Sequence, residues 1–92
     1  MKAVKLTILG KVQGVGYRRW FVQHAVALGL KGYVLNLDSG AVEALLLGDD
    51  GTVAELVNFA KVGPTHAVVK DVVIVELASE QQSFTAFEIR RE

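Results

Sequence analysis

The chain has 92 residues, room for one domain, and 51% of them are hydrophobic, which excludes a disordered segment. Ten lysines and arginines balance ten aspartates and glutamates, so the basic surplus that drives nucleic-acid binding is missing. There is no cysteine, which excludes disulfides, thiol nucleophiles and thiolate metal sites.

Met1 to Lys5 lead into a strand, not a secretory signal, and Lys5 to Leu9 alternates polar and apolar as a half-buried strand does. Gly10 to Gly16 follows with three glycines in seven residues, a loop whose backbone needs unusual freedom. A helix is predicted from Tyr17 to Leu28, with Tyr17, Phe21, Ala25 and Leu28 on one face. Gly29 stops it, and Leu30 folds back as the hydrophobic contact of the stop.

Gly32 to Leu37 and Ala41 to Leu47 read as strands joined by the turn Asp38-Ser39-Gly40, a hairpin. Asp49 to Thr52 supplies capping side chains for a second amphipathic helix, on which Val53, Leu56, Val57 and Ala60 share a face. Gly63-Pro64 breaks that helix. Ala67 to Leu77 is a long Val-rich strand, with Val72 to Leu77 expected in the core. Phe84 to Arg90 is a short closing strand, Phe87 and Ile89 on one face and Glu88 and Arg90 on the other.

The order β-α-β-β-α-β plus one short strand is that of an α+β, ferredoxin-like split βαβ sandwich. One antiparallel sheet carries both helices on one face, and residues 1–92 form a single domain. Strands one and two are then parallel, with another strand between them. The glycine loop and the end of strand two, where Asn36 sits, share one edge of the sheet. Two strand spacings separate their backbones by roughly 10 Å, a gap that an arginine side chain, a phosphoryl group and a water can fill.

Gln13-Gly14-Val15-Gly16-Tyr17-Arg18 joins that strand to a helix N-terminus, where N–H groups lack partners and the helix dipole is positive. Glycines let successive N–H groups converge on an anion, and arginine adds a two-pronged donor for phosphate oxygens. The same glycines also suit a plain tight turn, and the two readings stand level on these residues alone. The loop lacks the Gly-Lys-Ser/Thr ending of a nucleotide P-loop, and Arg19 stands where a dinucleotide fingerprint needs its third glycine.

Gly10-Lys11-Val12-Gln13-Gly14-Val15-Gly16-Tyr17-Arg18 resembles the signature of the acylphosphatase family, and Gly32-Tyr33-Val34-Leu35-Asn36 resembles its second signature. Gly63-Pro64, the Val-rich strand and the closing Phe87-Glu88-Ile89-Arg90 extend the likeness over nearly the whole chain. Tyr33 departs from it where many members have tryptophan, as does Thr65-His66 where a second proline is frequent. The resemblance implies hydrolysis of acyl phosphates to carboxylate and phosphate without a metal or other cofactor. It makes Arg18 the phosphate-binding arginine, the backbone of Gln13, Gly14, Val15, Gly16 and Tyr17 the phosphate cradle, and Asn36 the water-positioning residue.

The implied partners are small acyl phosphates and inorganic phosphate, with no nucleic acid and no membrane, for a cytoplasmic monomer. A domain that holds phosphate or carbamoyl phosphate without turning it over would use the same residues. Arg19, about 100° around the helix from Arg18, reads as rim charge. His24 and His66 read as solvated, Trp20 and Phe21 as packing, and Lys11 as a solvated strand end.

Overall fold

The computed structural model describes residues 1–91. Its elements are β1 (Lys2–Lys11), α1 (Tyr17–Ala27), β2 (Lys31–Asn36), β3 (Val42–Gly48), α2 (Asp50–Ala60), β4 (Val68–Leu77), one 3-10 turn (Ser79–Gln81) and β5 (Phe87–Arg90). They form one five-stranded sheet in the order β4-β1-β3-β2-β5. Both helices pack on one face, so the ferredoxin-like α+β architecture stands.

Alternation along the strands builds that face. Val4, Leu6 and Ile8 of β1 lie opposite Leu46, Ala44 and Val42 of β3 and form one buried sheet surface with them. Onto it α1 sets Tyr17, Phe21 and Ala25, and α2 sets Val53, Leu56, Val57 and Ala60. Burying a side chain such as Leu6, Phe21 or Leu56 stabilises the fold by about 1.5–3 kcal/mol. No helix among the described residues is long and apolar enough to cross a membrane.

The helix ends are fixed as the sequence predicts. Past α1, Leu30 N–H donates to the Ala25 carbonyl and Gly29 N–H to that of Val26, with Gly29 at φ 72°. This is a Schellman stop. At α2, the Asp49 carboxylate caps the helix by accepting from Gly51 N–H at 3.2 Å.

The Tyr17 hydroxyl donates to the Ala60 carbonyl at 2.7 Å, tying the start of α1 to the end of α2. Burial pushes this phenol's pKa far above its ordinary value. Tyr17→Phe leaves a buried carbonyl unpaired and is expected to cost about 1–3 kcal/mol, read as a lower urea midpoint at unchanged slope.

Four expectations are corrected. The Val72 to Leu77 run is not a core strand: β4 is the sheet's outer edge, and Val73, Ile74 and Val75 are 44–46% exposed. The sheet order places β4 outside β1 with no neighbour beyond it. The sheet is also mixed, because β5 runs parallel to β2. After β4 the chain reverses and reaches the opposite edge, so β5 runs antiparallel to β4 and therefore along β1 and β2. It begins at Phe87 rather than Phe84, because Phe84 packs beside Tyr33 over Ala3, Leu45 and Leu47 in a second small cluster. His24, finally, is half-buried between the rings of Trp20 and Phe59 at 4.7 and 4.8 Å, not solvated.

Candidate active site

Where β1 ends, Val12 turns into the core and the chain rises through Gln13 to Arg18 into α1. Gly14 and Gly16 take φ of 74° and 77°, a left-handed backbone that L side chains rarely adopt. A Cβ added to either would meet no atom within 4 Å, so conformation, not crowding, calls for glycine here. Gly16 heads α1 with no side-chain cap and no acidic residue in the first turn. The first bond of the helix is Trp20 N–H to the Gly16 carbonyl; among the described residues no N–H from Gly14 to Arg19 donates to a backbone acceptor. A group of unpaired donors at the positive end of a helix dipole attracts an anion.

The loop is held from the side by Gln13. Its Nε2 donates to the carbonyls of Leu37 at 2.8 Å and Ala41 at 2.9 Å, both in the turn between β2 and β3. The turn directly follows Asn36, so this amide fixes the glycine loop against the end of β2. Gln13→Met would keep the volume and lose both bonds. It is expected to cost about 2 kcal/mol of stability, and to lower kcat about tenfold or more as the loop shifts against Asn36. Urea unfolding and steady-state kinetics on the same sample check both figures.

Asn36 closes β2 on the helix-facing side, in register with Val42. Its Oδ1 is buried and has no hydrogen-bond partner among the described residues. An unpaired buried acceptor costs about 1–3 kcal/mol, so its retention points to work done with a ligand.

The two ends meet in one open cleft of ≈ 440 Å³. The loop and α1 bring Gln13, Gly14, Gly16, Tyr17, Arg18 and Arg19 to it, and β2 brings Asn36. Val15 is not in the lining; its side chain packs on the core. The third contributor is β5, which sequence reasoning missed. Ile89 and Arg91 line the cleft, and the Arg90 carbonyl accepts from Arg18 Nη1 at 3.5 Å.

Arg90 itself turns to the other face of the sheet. There its guanidinium lies 4.6 Å from the Tyr33 ring centre and 5.5 Å from that of Phe84, and pairs with Glu88 at 2.9 Å. The Tyr33 hydroxyl donates to Glu43 at 2.8 Å; burial and then this bond push the phenol up to about 12. The cluster fastens β5 beside Asn36.

The Trp20–His24–Phe59 stack belongs to the helix layer and is absent from the cleft lining, as are Lys11 and the exposed His66. Among the described residues no carboxylate lines the cleft, and no cluster of three or more His, Asp or Glu side chains could hold a metal ion.

Known proteins resemble this chain over most of its length. The family model for acylphosphatases matches residues 4–89. An acylphosphatase of Methanocella arvoryzae is 41% identical over 90 residues, covering 98% of this chain and 100% of the relative. One of Caldivirga maquilingensis is 47% identical over 88 residues, 95% and 92% of the two chains. The crystal structure of acylphosphatase from Bacillus subtilis superposes with a TM-score of 0.93 at 31% identity, covering 98% of this chain and 99% of that one.

Proposed function

The chain belongs to the acylphosphatase family and is a hydrolase of acyl phosphates, and we propose that Arg18 and the backbone of Gln13 to Tyr17 hold the phosphoryl group while Asn36 positions the attacking water. The reading takes residues 1–92 as one acylphosphatase-like domain, a cytoplasmic monomer acting on small acyl phosphates without a metal ion. One observation carries it: the buried Oδ1 of Asn36 and the loop donors, unpaired among the described residues, belong to the same cleft as Arg18.

The reaction asks for little machinery. The leaving carboxylate derives from an acid of pKa about 4, so it departs as an anion and no general acid is required. The P–O bond to the acyl oxygen breaks in a loose, in-line transfer that mainly needs alignment and charge neutralisation. Arg18 and the loop N–H groups neutralise the equatorial oxygens, aided by the α1 dipole. Asn36 Oδ1 accepts one hydrogen of the attacking water and turns its lone pair toward phosphorus. Asparagine is no base, so the water's proton passes to a phosphoryl oxygen as the carboxylate leaves with its bonding pair.

Among the described residues the lining has no carboxylate to offer a hard cation, while its guanidinium groups supply the positive charge such an ion would bring. Hydrolysis of benzoyl phosphate is therefore expected to run at an unchanged rate with excess chelator present. A loss of phosphate release restored by a divalent ion overturns the metal-free reading. Tight phosphate binding without any release of product overturns the hydrolytic roles and leaves the cleft a phosphate-binding site.

A further inference from the structure

We propose that Arg19 and Arg91 form a second anion subsite in the same cleft, selecting acyl phosphates whose acyl arm bears its own negative charge. The proposal rests on Arg18 and the glycine loop being the phosphoryl site. It names the substrate class that this site prefers.

The cleft gathers positive charge beyond what one phosphoryl group needs. The chain is neutral overall, yet three of its four arginines, Arg18, Arg19 and Arg91, line this one cleft, and among the described residues no carboxylate lines it. The ion pairs seen among the described residues, Lys2–Glu76 and Arg90–Glu88, involve none of the three. Arg90 is the contrast. On the opposite face of β5 it is paired with a carboxylate and stacked on Tyr33, a structural use of the same side chain. Arg91 follows the alternation of Phe87 and Ile89 toward the cleft.

The positions suit a two-ended ligand. Arg18 sits half-buried in the first turn of α1 and meets the phosphoryl group with the loop N–H groups. Arg19 and Arg91 are exposed, one on α1 and the other just past β5. Ile89, 45% exposed, gives the cleft an apolar wall against which an acyl spacer can lie. A phosphoryl group at one end, a short apolar spacer and a carboxylate at the other complement this lining, and guanidinium groups bind carboxylates in two-pronged fashion.

Exposed charges act weakly, so the selectivity is modest and salt-sensitive. Each arginine is worth about threefold and the pair about tenfold at low ionic strength, with most of it lost near 1 M salt. The experiment compares kcat/KM for 4-carboxybenzoyl phosphate and 4-methylbenzoyl phosphate, which differ in the far group. The ratio is expected to favour the carboxylate about tenfold in the parent chain and to fall to parity in R19Q/R91Q. In R19E/R91E it is expected to drop below one. Because each variant is judged by its own ratio, a general loss of rate cancels.

A parent ratio at or below one, or a ratio that survives in R19Q/R91Q, overturns the subsite. Failure of the phosphoryl-site reading shows separately, as 4-methylbenzoyl phosphate hydrolysis that persists at the parent rate in Arg18→Lys.

Discussion

Arg18→Lys is expected to hydrolyse benzoyl phosphate about a thousandfold more slowly than the parent chain, although the charge is kept. A thousandfold is about 4 kcal/mol of transition-state stabilisation, within the range that a single arginine supplies in phosphoryl transfer. The reason is geometric. Arg18 springs from the first turn of α1, and its Nη1 is steadied by the Arg90 carbonyl at 3.5 Å, leaving the remaining donors of a rigid fork for the phosphoryl oxygens. Lysine offers a single, strongly hydrated ammonium on a flexible stem and cannot engage two oxygens in one plane. Arg18→Ala removes the charge as well and is expected to leave no measurable turnover.

Both variants should keep the parent's unfolding free energy in urea within about 0.5 kcal/mol, because the side chain is not part of the apolar core. Inorganic phosphate should protect the parent chain against unfolding and protect the variants far less. Phosphate release by Arg18→Lys within tenfold of the parent would overturn the two-pronged role of this residue.

The ease with which the site was found in the sequence differs from element to element. Arg18 and Asn36 could be placed at one edge because a helical crossover forces β1 and β2 to run parallel, and the strand between them follows from the Asp38-Ser39-Gly40 hairpin. These are consequences of local pattern plus handedness. The contribution of β5 is of another kind. A four-residue strand that pairs in parallel across a long loop has no turn to set its register, so nothing local aligns Val34 with Ile89. The alternation of Phe87 and Ile89 was visible; that this face abuts Asn36 was not.

The Val-rich run from Val72 to Leu77 misled for a related reason. Apolar residues on both faces suit a central strand, yet hydropathy does not encode sheet order, and β4 stands at the edge. Its exposure is managed locally. The Val72 N–H is taken up by its neighbour Asp71 at 2.8 Å, and a register shift interrupts the ladder at Leu9 and Gly10. Both features blunt an edge that could otherwise template strand addition. Gln13 was legible only as a member of the glycine loop. Its clamp on two carbonyls of the next turn depends on tertiary placement and leaves no trace in spacing.

Asn36→Ala is the substitution in which stability and catalysis should part company. Ordinarily, deleting a polar side chain at a half-buried position loses a hydrogen bond. Here Oδ1 is buried with no partner among the described residues, so the protein gives up no hydrogen bond seen there and sheds the cost of a stranded acceptor. The variant is expected to be as stable as the parent or more so, by up to about 1 kcal/mol, a pattern that fits a residue kept for function at the expense of stability. Turnover should move the other way, with kcat falling at least about a hundredfold as the attacking water loses its alignment. Inorganic phosphate binds through Arg18 and the loop donors, so its inhibition constant should change by less than about threefold.

Asn36→Asp sharpens the test, since a carboxylate there could accept from water equally well but would repel the phosphoryl oxygens. It should weaken phosphate binding as well as turnover, unlike Asn36→Ala. Steady-state kinetics, phosphate inhibition and urea unfolding on the two variants give all three readouts. Equal losses of kcat and phosphate affinity in Asn36→Ala would assign the amide to substrate binding. A stability loss above about 2 kcal/mol in the same variant would make Asn36 a structural residue, and the water would need another partner.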